Sequence, residues 1–297
     1  MQNVLRLLAL LPLLSPLAPR QATHDETPNI VFIVADDLGY GDLGCYGQQT
    51  IQTPNIDRLA EEGRRYTQFY AGSTVCAPSR CALMTGLHTG HCLIRGNRKQ
   101  NLRPEDITIG EILKSARYST AAIGKWGIGH EGSNGVPTKQ GFDTFFGYLD
   151  QSHAHNYYPT FLIRDEERVQ LRNVVTKEGK HGQGKASEKV DYSHDLITEE
   201  ALSFVRENAD GPFFLYLAWT IPHANNEAGK QGMEVPDEEP YATKEWPAPQ
   251  RGLAAMITRM DRDVGRLVSL LDELEIAQKT AIFFTSDNGP QRRSAIR

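Results

Sequence analysis

Short apolar runs alternate with segments of helical periodicity along most of the chain. Residues 29–35 (NIVFIVA) form a continuous apolar, β-branched run, the pattern of a strand buried on both faces. Residues 119–124, 213–219 and 280–285 repeat that pattern. Residues 53–63 read as a helix, with Thr53 able to cap, Pro54 in the first turn and Gly63 as a stop. Residues 108–117 place Ile109, Ile112 and Leu113 on one helical face, and 193–208 do the same with Leu196, Ile197, Ala201, Leu202 and Val205. A long helix is predicted over 252–274, and a short one begins near Pro78. This alternation predicts an α/β domain with a mostly parallel central sheet and helices on both faces. Residues 164–190 and 224–250 are polar with few apolar anchors and read as surface insertions or long loops.

A reactive residue type follows each strand run. The first delivers Asp36-Asp37, the second Lys125, the third shortly afterwards His223, and the fourth Asp287-Asn288. Open α/β sheets bind ligands outside the carboxyl ends of their strands, so these four ends predict one shared site. Asp36, Asp37, Asp287 and Asn288 offer carboxylate and amide oxygens only, a donor set that selects Ca²⁺ or Mg²⁺ over zinc. Each pair taken alone equally suits a turn or a helix cap. Cys76 stands at the mouth of the short helix, where free N–H groups favour anions and lower a thiol's pKa. Arg80, one turn in, can hold an anionic group beside it. The plainer reading of a lone cysteine is an inert buried thiol.

Composition narrows the class. The chain has 297 residues, 39% hydrophobic and 23% charged, which suits one large or two modest soluble domains. A net charge of −5 argues against a nucleic-acid footprint. Residues 1–22 differ in kind: Arg6, then an apolar stretch over 7–14, then small residues ahead of plausible cuts after Ala18 or Ala22. This is the pattern of a secretory signal peptide, so a secreted or periplasmic protein is expected. Its apolar centre is too short to span a bilayer, and no second membrane-spanning candidate follows. Cys45, Cys76, Cys81 and Cys92 are too few for a disulfide scaffold, and their pairing stays open.

Cys76-Ala77-Pro78-Ser79-Arg80, with Leu83-Met84-Thr85-Gly86 behind it, resembles the signature of the type I sulfatases. The 36–42 run DDLGYGD, the 124–129 run GKWGIG, Gly141-Phe142-Asp143 and the 286–290 run SDNGP extend the resemblance over about residues 28–290. It implies an alkaline-phosphatase-like fold and oxidation of Cys76 to Cα-formylglycine by a formylglycine-generating enzyme. The hydrate would offer two hydroxyls on one carbon, one to attack sulfur and one to release sulfate. Asp36, Asp37, Asp287 and Asn288 would hold Ca²⁺, with the modified residue 76 as a further ligand. Arg80 would fix the hydrate, Lys125 would contact the sulfate and the leaving oxygen, and His223 would contact the sulfate or protonate the leaving group. Ser152 stands where some members place a substrate-contacting serine. The implied reaction is hydrolysis of sulfate esters of small molecules or polysaccharides. The alternatives are a phosphoester or phosphonate hydrolase of the same superfamily and an inactive anion- or glycan-binding remnant.

Two positions depart from the family pattern. Gly127 stands where many sulfatases carry a histidine, so that role is unfilled or is taken by His130, His153 or His155. The plainer reading of those three is surface or loop histidine. Family members also continue past Asp-Asn-Gly with another active-site lysine and a smaller C-terminal domain. The expected organisation is therefore a leader over 1–22 and a catalytic domain over 23–297 that stops short of the family's C-terminal part.

Overall fold

The computed structural model describes residues 27–290; the leader assigned to 1–22 and the final 291–297 lie outside the described residues. In chain order the elements are β1 (Asn29–Ala35), α1 (Pro54–Glu62), α2 (Cys76–Thr85), α3 (Ile109–Ser115), β2 (Ser119–Lys125), β3 (Thr144–Tyr148), β4 (Phe161–Arg164), β5 (Glu167–Gln170), α4 (Ser193–Glu207), β6 (Phe213–Ala218), α5 (Ala248–Glu273) and β7 (Thr280–Ser286). The strands form one seven-stranded sheet in the order β5-β4-β3-β2-β6-β1-β7. From β3 to β7 all neighbours are parallel, whereas β4 and β5 are antiparallel additions at the far edge.

The apolar runs are continuous because their strands are covered on both sides. Val31, Ile33 and Ala35 of β1 and Phe213, Leu215 and Leu217 of β6 face a core shared with α1, α4 and α5. Val34 of β1 and Phe214, Tyr216 and Ala218 of β6 face the opposite core, which receives Ala77, Cys81 and Met84 of α2 and the flank of α3. Alternate residues of a strand point to opposite faces, so such a strand keeps no polar side. Helix α1 is capped from outside its own segment. Thr53 turns its hydroxyl to Asp57, and Asp261 of α5 accepts the Asn55 and Ile56 N–H groups at 3.2 and 2.8 Å.

Other boundaries also differ from the sequence expectation. Helix α2 starts at Cys76 rather than near Pro78, which leaves the proline inside the first turn, where its missing N–H costs nothing. Helix α5 starts at Ala248 rather than residue 252, through a polar first turn containing Pro249. Residues 164–190 are not loop throughout: β4 ends and β5 runs within them, and Val174 bridges to Glu188. Strand β5 is largely exposed, so it carries no apolar face that would mark it. All four cysteines are free thiols. Among the described residues no helix is long and apolar enough to cross a membrane.

The C-terminal edge of the sheet depends on one close approach. Gly124 has φ of +112°, and a Cβ there would lie 2.0 Å from the Ala218 carbonyl oxygen on β6. Only a glycine lets β2 lie this close to β6 immediately before Lys125. Gly124→Ala is expected to destabilise the fold by at least about 2 kcal/mol, combining the positive φ with overpacking. Gly41→Ala, with no atom within 4 Å of its Cβ position, is the control. Urea midpoints that coincide for the two variants would contradict this account.

Candidate active site

Four elements end at one point. Strand β1 runs directly into Asp36 and Asp37, β7 into Asp287 and Asn288, β2 ends on Lys125, and the loop after β6 carries His223. Backbone bonds lock these ends together: Asp287 N–H donates to the Ala35 carbonyl at 3.0 Å, and Asp36 N–H to that of Ile221 at 3.3 Å. Asp37 sits at φ of 60°, a left-handed conformation that aspartate tolerates, and its N–H donates to Asp287 Oδ1 at 3.2 Å.

Helix α2 brings the fifth part. The Cys76 thiol lies 3.4 Å from Asp36 Oδ1, and Asn97 Oδ1 accepts the Ala77 N–H at 2.9 Å. Arg80, wholly buried one turn in, places Nε and Nη2 on Asp287 Oδ2 at 3.0 and 2.8 Å and donates from Nη1 to the Lys125 carbonyl at 2.6 Å. The Lys125 ammonium meets Asp36 Oδ2 at 2.6 Å. Ser79, inside the same turn, donates its hydroxyl to the Asp287 carbonyl.

The charges in this pocket are unevenly shared. Burial opposes ionisation of Asp36, but Lys125, His223 and Arg80 outweigh it and hold the carboxyl well below the usual range. Asp37 is pushed up to about 7 by burial and then by the Asp36 charge. Asp287 is raised to about 6 by the same two causes, against the pull of Arg80. Burial also works against the Lys125 ammonium, yet Asp36 raises its pKa above the ordinary value. His223 is lowered to about 4 by burial, so its ring is neutral at pH 7. Its Nδ1–H donates to the Ala224 carbonyl at 2.7 Å, which leaves Nε2 as the bare nitrogen, 3.5 Å from Asp37 Oδ2. Burial and Asp36 raise the Cys76 thiol as well, so helix α2 does not make it a thiolate.

These side chains fit a hard divalent cation. Asp37 and Asp287 are crowded carboxyls that a cation would relieve, and Asn288 Oδ1 is buried with no hydrogen-bond partner among the described residues. Asn288 Nδ2 donates to Asp37 Oδ1, which turns that free oxygen away from Asp37. Ligand atoms of Asp36, Asp37, Cys76 and His223 lie within 4.8 Å of one another. A second such group, His194, Asp195 and Asp263 between α4 and α5, is already neutralised: Arg259 pairs with Asp195, and Arg262 and Arg266 with Asp263.

The Sulfatase family model matches residues 28–296. The chain belongs to the sulfatase family. It is 33% identical to rat N-acetylgalactosamine-6-sulfatase, over 96% of this chain and 54% of that protein. It is 33% identical to human arylsulfatase A, over 89% of this chain and 52% of that protein. The solved structure of Ps i-CgsB in complex with k-i-k-neocarrahexaose superposes with a TM-score of 0.74 at 30% identity, covering 91% of this chain and 61% of that one. The chain therefore spans about half the length of these two mammalian relatives. A phosphonate monoester hydrolase of Agrobacterium radiobacter shares the fold at a TM-score of 0.56 and 17% identity.

Of the residues singled out by sequence, Asp36, Asp37, Cys76, Arg80, Lys125, His223, Asp287 and Asn288 meet in this one sulfatase-family pocket. Ser152 does not join them: it lies on the loop after β3 with its N–H on Asp150 Oδ1, and among the described residues no hydrogen bond or ion pair links it to the carboxylates. Of the three histidines weighed against Gly127, His153 is buried between the Tyr148 and Phe161 rings and His130 is engaged by Asp150 and Asn101. His155 alone reaches the site, stacked on the His223 ring. Sequence reasoning missed Tyr157, whose hydroxyl donates to the Thr220 and His223 carbonyls and fixes the His223 loop. Its place in an aromatic, polar segment was visible, but its partner, 66 residues away, was not.

The raised carboxyls set a pH signature. The unfolded chain titrates Asp37 and Asp287 near 3.8, whereas the folded pocket holds them protonated to about 7 and about 6. Between those values the folded state binds more protons, so their contribution to stability falls as pH rises from about 4 to about 7. A bound cation takes the ionised forms and reverses that loss. The thermal shift produced by saturating Ca²⁺, measured against a chelator, is expected to be larger at pH 8 than at pH 5. A shift independent of pH would refute this picture of the pocket.

Proposed function

We propose that this chain carries the catalytic centre of an exported sulfatase that hydrolyses sulfate esters of carbohydrates. The reading uses Ca²⁺ and a Cα-formylglycine made from Cys76 by a formylglycine-generating enzyme. The observation that carries it is the position of Cys76: at the start of α2, against Asp36, and within one helical turn of Arg80. Its raised thiol pKa makes the unmodified side chain a poor nucleophile, which suits a precursor better than a working cysteine. Carbohydrate substrates follow from the names of the relatives and from the oligosaccharide bound to Ps i-CgsB. The leader pattern over 1–22 supports export.

Asp36, Asp37, Asp287 and Asn288 would hold the cation, with residue 76 beside them. Together the cation and the aldehyde hydrate would supply charge neutralisation at the sulfuryl oxygens and a hydroxyl nucleophile. The chain's own groups define the rest. Lys125 keeps its proton under the Asp36 charge and has further N–H donors for an anionic oxygen. Arg80 is spent on Asp287 and the Lys125 carbonyl, so it positions the carboxylate and the start of β2's exit loop. Neutral His223 presents Nε2 as a proton acceptor at the edge of the pocket. Asp36, Arg80 and Lys125 are wholly buried, which strengthens each interaction.

Protein made with the modifying enzyme is expected to carry an aldehyde at residue 76 by peptide mass spectrometry and to hydrolyse 4-nitrophenyl sulfate faster than 4-nitrophenyl phosphate. Cys76→Ala should lower kcat by about 10⁴-fold or more. A wide preference for the phosphate ester would reassign the chain to phosphoester hydrolysis. Calcium and sulfate binding with an intact thiol and no turnover would reduce it to an anion-binding protein.

A further inference from the structure

Cleaving an ester of an unactivated sugar hydroxyl requires a proton on the departing oxygen, and among the described residues the buried groups of the pocket hold their protons elsewhere. Lys125 and Arg80 are wholly buried and tied to carboxylates. His223 is held neutral by burial, and its one N–H is committed to the Ala224 carbonyl. His155 is different. It stands on the turn Ser152–Asn156 after β3, and its ring lies parallel to that of His223, with centroids 4.7 Å apart and 9° between planes. Glu227 Oε2 is 3.5 Å from its Nδ1, and the Asn226 side-chain amide is 3.4 Å from the same nitrogen. The His155 side chain is 16% exposed, against 6% for His223, so it alone of the two is partly open to solvent.

The neighbouring contact at Gly127 involves the same loop. Gly127, two residues after Lys125, has φ of +77°, and a Cβ there would fall 2.1 Å from Gln151 Nε2. Gln151 donates to the Gly127 carbonyl at 3.1 Å and occupies the space a larger side chain at 127 would need. Gln151 and His155 belong to the same loop, so the segment packed on Gly127 also carries the imidazole stacked on His223.

We propose that His155, held through Nδ1 by Glu227 and stacked on His223, is the residue that transfers a proton to the leaving oxygen of the substrate ester. This assignment rests on the sulfatase reading. His155 acts as the imidazolium: as the sulfur–oxygen bond breaks, the departing alkoxide oxygen takes the Nε2 proton, Nδ1–H stays on Glu227, and the neutral imidazole left behind takes a proton back from solvent. Glu227 is a positioning residue that fixes the ring and whose carboxylate favours its protonated form.

Two measurements test it on the full chain with Ca²⁺. The first compares an activated ester, 4-nitrophenyl sulfate, with a hexose 6-sulfate. His155→Ala and His155→Gln should lower kcat/KM about 100-fold or more for the sugar sulfate and only a few-fold for the nitrophenyl ester, whose leaving group needs no proton. Glu227→Gln should show the same bias in smaller degree, while Glu227→Asp recovers part of the sugar-sulfate rate. Equal losses on both esters, or none, would overturn the proposal. The second measurement does not depend on turnover. In Cys76→Ser protein, the imidazole ¹⁵N resonances should show both ring nitrogens of His155 protonated, and both should shift when methyl sulfate is added. A ring that does not respond while methyl sulfate binds elsewhere in the pocket would overturn the role of His155 even in an active sulfatase. Absence of any sulfate-ester turnover by the unmutated protein, with a responding His155 ring, would instead fault the sulfatase reading.

Discussion

Asp36 lies fully buried between the Lys125 ammonium and the Arg80 guanidinium, and an uncompensated charge at that depth costs several kcal/mol. Both cations are therefore conditions for the end of β1 to exist in its present form. Each is in turn held by backbone or side-chain groups from other elements. Arg80 bridges α2, β2 and β7 in one side chain, since it touches the Lys125 carbonyl and the Asp287 carboxylate. Three carboxylates share two permanent cations, and the deficit falls on Asp37 and Asp287. The same imbalance that strains the pocket prepares it for a divalent ion.

Parallel sheet architecture makes this arrangement possible. Because β2, β6, β1 and β7 all run the same way, their carboxyl ends lie side by side, and residues far apart in sequence become neighbours without any long side chain having to reach. The sheet also isolates the charges. Tyr216, Phe214 and Trp126 share one core with Ala77, Cys81 and Met84 of α2, so α2 can present its first turn to the carboxylates while its apolar residues stay buried.

Much of this was legible in the sequence for a specific reason. A central parallel strand is apolar on both faces, so β1, β2, β6 and β7 appear as uninterrupted runs, and the polar residues that end them stand out. The CAPSR run added the fifth part through its order alone. The remainder was hidden by the same physics. Strand β3 interrupts its aromatics with Gly147, and β4 and β5 are four-residue edge strands, β5 being mostly exposed, so their periodicity is too short to register. Asp261 as the cap of α1 and Glu227 as the partner of His155 are tertiary contacts between polar residues in segments that separately look like helix surface and loop. Nothing local distinguishes His155 from His130 or His153; only the packing does.

The pairing of β1 with β7 joins residues 251 positions apart, Ala35 with Ser286 among them. Asp287 and Asn288 thus arrive at the pocket after Asp36, Cys76, Arg80, Lys125 and His223 have all been synthesised. Until then Arg80 lacks its main carboxylate partner, Ser79 its carbonyl acceptor, and α2 has no complete surface on which to settle. Once the chain is folded, Cys76 is 5% exposed. At ribosomal speeds of about 5–20 residues per second, the stretch from Cys76 to Asp287 takes roughly 10–40 s to make. The late-arriving edge strand therefore works as a timer: it sets how long the cysteine stays reachable before the fold seals it.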